Sequence, residues 1–207
     1  MNVSDLEKNG YQLKEKFLYS ELTAFIKEYL SKTNAATVTF LVVNIAFLLL
    51  LSFQVGWTII AKTDRALSLF SFLSGFIVLV LVIPVHELIH AIAYKLAGAK
   101  KVSFDINFKK FTVLTVADRF VANKTQFIKI LLAPFIVIST TLIVVYLIGN
   151  VYTQCAVTSV LVLHTLMCSG DFGLTSYFLF HKDRIVVTFD DNTEKASYFF
   201  EQNQQSY

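Results

Sequence analysis

The stretch "LSLFSFLSGFIVLVLVIPVHELIHAIAYKLA", residues 67 to 97, is apolar for long enough to cross a bilayer, yet it carries two histidines and a glutamate in its second half. A helix needs roughly 20 mostly apolar residues to span the hydrocarbon. Three further runs reach that length: Ala35 to Ile60, Phe127 to Ile148 and Cys155 to Phe180. With 55% hydrophobic residues and a mean hydropathy of +0.60, a chain of 207 residues cannot wrap four such helices in polar cover. That excludes an ordinary soluble domain. The expected fold is an all-α membrane protein with four transmembrane helices.

Lysine and arginine set the orientation. Sixteen of the eighteen lie in residues 1 to 34, between Lys95 and Lys129 in and beside the long loop after the second span, or in the tail beyond residue 180, and only Lys62 and Arg65 lie elsewhere. The positive-inside rule then predicts a multi-pass protein of the cell membrane, with both termini and the 98 to 126 loop in the cytoplasm. Basic loops beside anionic lipid account for the net charge of +3, so no nucleic-acid partner is expected. The first apolar run starts only at about residue 35 and is long enough to stay in the bilayer, so no cleaved signal peptide is expected. Cys155 and Cys168 both fall in the fourth span, which argues against a secreted disulfide framework.

The chain divides into a cytoplasmic amphipathic segment (1–34), a four-span membrane domain (35–180) and a cytoplasmic tail (181–207). In residues 12 to 30 a helical period puts Leu18, Leu22, Phe25, Ile26 and Tyr29 on one side, which predicts an interfacial helix. Residues 101 to 116, "KVSFDINFKKFTVLTV", alternate and then continue with β-branched residues, predicting a short β-hairpin in the loop between the second and third spans. The tail segment "RIVVTFDDNTEKASYFF" can pair as a second hairpin.

In a helix, His86 and His90 share a face, and Glu87 stands one step aside: the HExxH spacing of a zinc peptidase. Zinc takes neutral imidazole nitrogens, and the carboxylate can accept a proton from the attacking water. The competing reading makes the histidines hydrogen-bonded packing residues of a helix bundle. It leaves Glu87 unexplained, since an acid at the centre of a span costs roughly 2.5–3.5 kcal/mol on insertion. A third ligand is needed. Ala93 and Leu96 stand where a metzincin would place its glycine and third histidine, and no glutamate occurs between Glu87 and Glu194. Of fifteen acidic residues only Glu87 and Asp171 lie within the expected spans. Asp171 also matches the histidines in depth, about 12 to 18 Å from the cytoplasmic helix ends, and small Ser169, Gly170 and Gly173 beside it allow close helix approach.

HELIH in a membrane helix, a short β-rich loop, a span with "LAPF" (132–135) and a span with "SGD" (169–171) together resemble the site-2 protease class of intramembrane metalloproteases. More closely, the chain resembles a compact bacterial family of zincin-type membrane peptidases, over about residues 67 to 195. The resemblance implies Zn²⁺ held by His86, His90 and Asp171, with Glu87 as catalytic base and a membrane protein or peptide as substrate. The Asn-Pro-Asp-Gly type of motif around the third ligand is absent, and Asp171 is flanked by Gly170 and Phe172 instead. His164 and Cys168 lie on the helical face of Asp171 and are secondary candidates as ligands or as lining of a path to the metal. A metal-carrying membrane scaffold or transporter would use the same ligands without needing Glu87.

Overall fold

The computed structural model describes residues 3–107 and 112–202; Phe108, Lys109 and Lys110 of the expected hairpin lie outside the described residues. In chain order the elements are β1 (Tyr11–Leu18), α1 (Leu22–Leu30), α2 (Ala35–Ile60), α3 (Arg65–Leu96), β2 (Ser103–Asn107), β3 (Thr112–Val116), β4 (Ala122–Asn123), α4 (Lys124–Ile148), α5 (Val151–Met167), α6 (Ser169–Phe180), β5 (Ile185–Asp191) and β6 (Ala196–Gln202). The fold is mostly helical, with a small sheet.

Helices α2, α3 and α4 are each long and apolar enough to cross a membrane, and α5 with α6, bent by 43° at their junction, makes a fourth such unit if counted as one. Their outward faces carry the large apolar side chains: Ile60 is 74% exposed, Ile77 67% and Ile148 80%. The buried residues of α2 are small or polar instead (Ala36, Asn44, Gln54, Thr58), and those of α3 include Ser68, Ser71, Gly75 and both histidines. This inside-out distribution suits a lipid solvent, where polar groups must find partners within the bundle. Gln54 accepts from the Tyr146 hydroxyl (3.2 Å), and the Asn44 side-chain oxygen accepts from Thr165 (3.1 Å). α5 packs against α2, α3 and α4. Gly75 makes the α3–α5 crossing so close that a Cβ there would stand 2.5 Å from that of Ser159.

Capping sets the helix starts. Asn34 accepts from the amides of Ala36 and Thr37 while the Thr37 hydroxyl accepts from the Asn34 amide, and Asn123 and Gln126 repeat this box at α4. The Asn34 amide group also donates to Ser176 Oγ at 2.6 Å, tying the start of α2 to α6.

The strands gather at the end of the bundle where α3 and α6 finish and α4 begins. β1, β6, β5 and β4 form one antiparallel sheet in that order, and β2 and β3 a separate hairpin. Segments near both ends of the chain and the loop after α3 therefore meet on one face of the bundle. Under the sheet, Phe17, Phe25, Tyr29, Tyr177, Phe178 and Phe199 form an aromatic core with Tyr94 and Phe127. Both expected hairpins are present, the second as the centre of the sheet.

The helix expected over residues 12–30 is half right. Residues 11–18 form a strand paired with β6, Tyr11 opposite Gln202 and Phe17 opposite Ser197, and the helix begins only at Leu22. Phe25 and Tyr29 do share the buried face, but Leu18 lies on the strand and is exposed. The face buries itself against α6 and the sheet, where Gly173 admits α1 so closely that a Cβ would come within 2.9 Å of Ile26 Cγ2.

Candidate metal centre

α3 runs unbroken through Pro84 and delivers His86, Glu87 and His90 about two to three turns before its C-terminal end at Leu96. The break between α5 and α6 places Asp171 in the first turn of α6, where the positive end of the helix dipole favours a carboxylate. The three ligand candidates converge. His86 Nε2 lies 3.1 Å from His90 Nε2, Asp171 Oδ2 lies 3.3 Å from His86 Nε2, and Asp171 Oδ1 lies 3.2 Å from His90 Nε2. All three residues are buried, each less than 9% exposed.

This donor set fits zinc. Bonds of 2.0–2.1 Å in a tetrahedron put ligand atoms roughly 3.3 Å apart, the spacing found here, and two imidazoles with one carboxylate leave a fourth position open. The outer nitrogens are also held. His90 Nδ1 is 3.0 Å from the Ile130 carbonyl of α4. A carbonyl only accepts, so the proton sits on Nδ1 and the Nε2 lone pair is free for a metal. His86 Nδ1 faces His164 Nε2 of α5 at 3.4 Å. With Nδ1 donating there, His164 carries its own proton on Nδ1, an atom buried without a partner among the described residues.

Thus His164 stands behind His86. Cys168 Sγ lies 3.7 Å from the same His164 Nε2 and caps the break between α5 and α6. His86, His164 and Cys168 make a second grouping of potential ligand atoms within 4.8 Å of one another. It lies fully inside the bundle and takes the outer nitrogen of His86, whereas the His86, His90, Asp171 grouping borders a cavity.

That cavity, about 100 Å³, is lined by Glu87 and His90 from α3, by Thr115 from β3, and by Tyr19, Asp190 and Ser197 from the sheet side. Glu87 is partly accessible, and its Oε2 accepts from the Thr115 hydroxyl at 2.6 Å, with the Glu87 carbonyl 3.0 Å from the same hydroxyl. The hairpin is thereby clasped to α3 beside the histidines. Asp190 is hemmed in by protein, and burial, followed by the nearby Asp118, pushes its carboxyl up to about 6 against the opposing hydrogen bond from Ser197. Burial likewise pushes the Tyr19 hydroxyl above its ordinary range.

Residues 79–186, more than half of the chain, match the family described as "Putative zincin peptidase". The chain belongs to that family. Neither a curated protein nor a solved structure matches it. The matched segment opens in α3 just ahead of His86 and closes at the start of β5, so it contains the whole donor set, Glu87 and the β2–β3 hairpin. Membership in the zincin peptidase family points to metallopeptidase activity with zinc as the cofactor.

Sequence reading had no means to find Thr115, the Ile130 carbonyl or the cavity wall from the sheet. Each reaches the site only through packing between elements distant in the chain. β3, TVLTV, carries hydroxyls at both Thr112 and Thr115, and its sequence gives no reason to choose the second.

Proposed function

We propose that this zincin-family chain is a membrane-embedded, site-2-protease-like metalloendopeptidase that hydrolyses peptide bonds of membrane-associated proteins at the aqueous edge of the bilayer. The observation that carries the reading is the meeting of His86 Nε2, His90 Nε2 and the Asp171 carboxylate at 3.1–3.3 Å, with Glu87 beside them on the wall of a cavity. Two imidazoles and a carboxylate with no general base nearby would suit storage or transport equally well. Glu87 is what favours an enzyme.

Zinc, when bound, supplies a Lewis acid that polarises the scissile carbonyl and acidifies a water. His86, His90 and Asp171 hold it, with His164 and the Ile130 carbonyl fixing the planes of the two imidazoles. Glu87 accepts the proton of the attacking water and returns it to the departing amine. The Thr115 hydroxyl keeps Glu87 Oε2 turned toward the cavity. β3 is hydrogen-bonded on one side to β2, and its other edge offers backbone groups to an extended substrate strand. A peptide bond in a helix is shielded from attack, so the substrate enters unwound.

Glu87→Gln in the purified, zinc-loaded full chain tests the reading. The amide keeps the shape but accepts no proton, so zinc content should stay at the wild-type level while peptide cleavage falls roughly 10²- to 10⁴-fold. Undiminished cleavage in this variant would refute the mechanism.

A further inference from the structure

The cavity beside Glu87 contains a second carboxylate that the proposed chemistry does not use. Asp190 sits on β5 directly across from Ser197 on β6, and its Oδ1 accepts from the Ser197 hydroxyl at 2.6 Å. Its other oxygen has no hydrogen-bond partner among the described residues, and no lysine or arginine lines the cavity. The acids around it are treated differently. Asp191 is paired with Arg119 at 2.9 Å, Asp105 with Lys195 at 2.6 Å, and Glu201 with Arg184 at 2.6 Å. Among the described residues the cations of this face are spent on those acids, while Asp190 and the adjacent Asp118, which accepts from the Asn192 amide, have none.

Asp190 is half-buried, and a carboxylate drawn even partly out of water without a counter-charge is costly for a fold to retain. The backbone requirements at this position, an Arg119 amide donating to the Asp190 carbonyl and the ladder to β6, would be met by any residue. The side chain is therefore surplus to the fold. Next to it the Tyr19 hydroxyl is buried, lines the same cavity and has no partner among the described residues. A half-buried carboxylate and a buried hydroxyl without a partner line one cavity, which the candidate base lines as well.

We propose that Asp190 is a specificity residue, receiving the ammonium or guanidinium group of a lysine or arginine in the peptide held in this cavity. The inference rests on the peptidase reading for the nature of the occupant, but only on the cavity and its lining for the charge preference. It also matches where such a site would work. Segments flanking transmembrane helices on the cytoplasmic side are rich in lysine and arginine, and the face of the bundle that bears the sheet is the one expected there. The Tyr19 hydroxyl is placed to donate to a carbonyl of the same peptide.

Binding separates this proposal from catalysis. The probes are fluorescein-labelled octapeptides of valine, alanine and threonine with a single lysine walked along the sequence, each with a twin carrying glutamine instead. Anisotropy is read with full-length, zinc-loaded Glu87→Gln protein in detergent. At one or two positions the lysine peptide should bind ten- to a hundredfold more tightly than its twin, the range expected for a charge-assisted hydrogen bond. Adding Asp190→Asn should erase that difference while binding of the glutamine twin stays within a fewfold. Circular dichroism and the melting profile show whether the double variant is folded, and Tyr19→Phe, which keeps the carboxylate, should weaken both twins alike. Equal binding of twins at every position, no measurable binding of any peptide, or a lysine preference that survives Asp190→Asn would each overturn the proposal. A lysine preference in a protein whose wild type cuts none of the bound peptides would instead retain Asp190 and sink the peptidase reading.

Discussion

Replacing His164 with leucine tests whether the site is organised as its geometry indicates. His164 is fully buried, and its Nε2 is the only acceptor that the described residues offer His86 Nδ1, at 3.4 Å. Leucine fills much of the imidazole volume but accepts nothing, so the His86 donor is left unsatisfied in the interior. Such an orphan costs about 1–3 kcal/mol. Because His86 must hold its Nδ1 proton to present Nε2 to a metal, that cost falls on metal binding. At about 1.4 kcal/mol per tenfold, zinc affinity should drop roughly ten- to a hundredfold, which is also the usual penalty for losing a partner of a metal-bound histidine. His164→Gln, whose amide oxygen can take the place of Nε2, should recover most of the loss. Asp171→Ala, which removes a ligand outright, should cost more than either. Competition against a chelating fluorescent indicator, on full-length protein in detergent with circular dichroism as the folding control, measures all three. Affinity of His164→Leu within twofold of wild type would refute the idea that His164 orients His86. A loss as large as that of Asp171→Ala would make His164 a ligand and shift the metal toward Cys168.

Thr115→Val should leave zinc content unchanged and lower turnover about tenfold, since a charged hydrogen bond to Glu87 Oε2 is lost; unaltered turnover would remove Thr115 from the site. Asp190 should make the protein less stable as pH rises. Its carboxyl is held at about 6 in the folded state against an ordinary 3.8, so between about pH 4 and 6 the unfolded chain ionises first and stability falls by up to about 3 kcal/mol. Asp190→Asn should then match wild type in melting temperature near pH 4 and exceed it at pH 7, and equal melting at both pH values would contradict the burial argument. For topology, a cysteine at Lys62 should react with an impermeant maleimide on intact cells, whereas cysteines at Lys100 and Asn192 should react only after lysis; the reverse pattern would invert the orientation.

The parts of this molecule that depend on one stretch of chain were readable before the structure. His86, Glu87 and His90 declare themselves by spacing, and Asp171 by being one of two acids where acids are expensive. The β1 segment was misread for a physical reason. It is an edge strand with a register shift between Leu13 and Glu15, and of its eight residues only Phe17 is buried, so the alternation that marks a strand is missing. What remained, Leu18 with Leu22, Phe25, Ile26 and Tyr29, fits a helical period by continuity with the real helix that follows. The break between α5 and α6 was also hidden, since no proline marks it, Asp171 in the first turn of α6 was read as a ligand within a continuous span, and Cys168 simply ends one helix and begins the next. Asp190 stood out in the sequence only as one residue of the tail segment expected to pair as a hairpin. Its significance comes from which cations are already taken, and that is a property of the assembled sheet.

The place of β6 in the sheet has a consequence for biosynthesis. β6 lies between β1 and β5, so the strand formed by residues 11–18 has no neighbour to join until residues 196–202 have left the ribosome. By then α2 through α6 have been made, with His86, His90 and Asp171 all available to a metal. The wall that carries Ser197 and Phe199, and that seats Asp190 opposite them, does not yet exist. A nascent chain therefore passes through a stage in which the candidate ligands can meet while the cavity beside Glu87 is open on one side. Closure of that cavity waits for translation of residues 196–202, well after the donor set has been made.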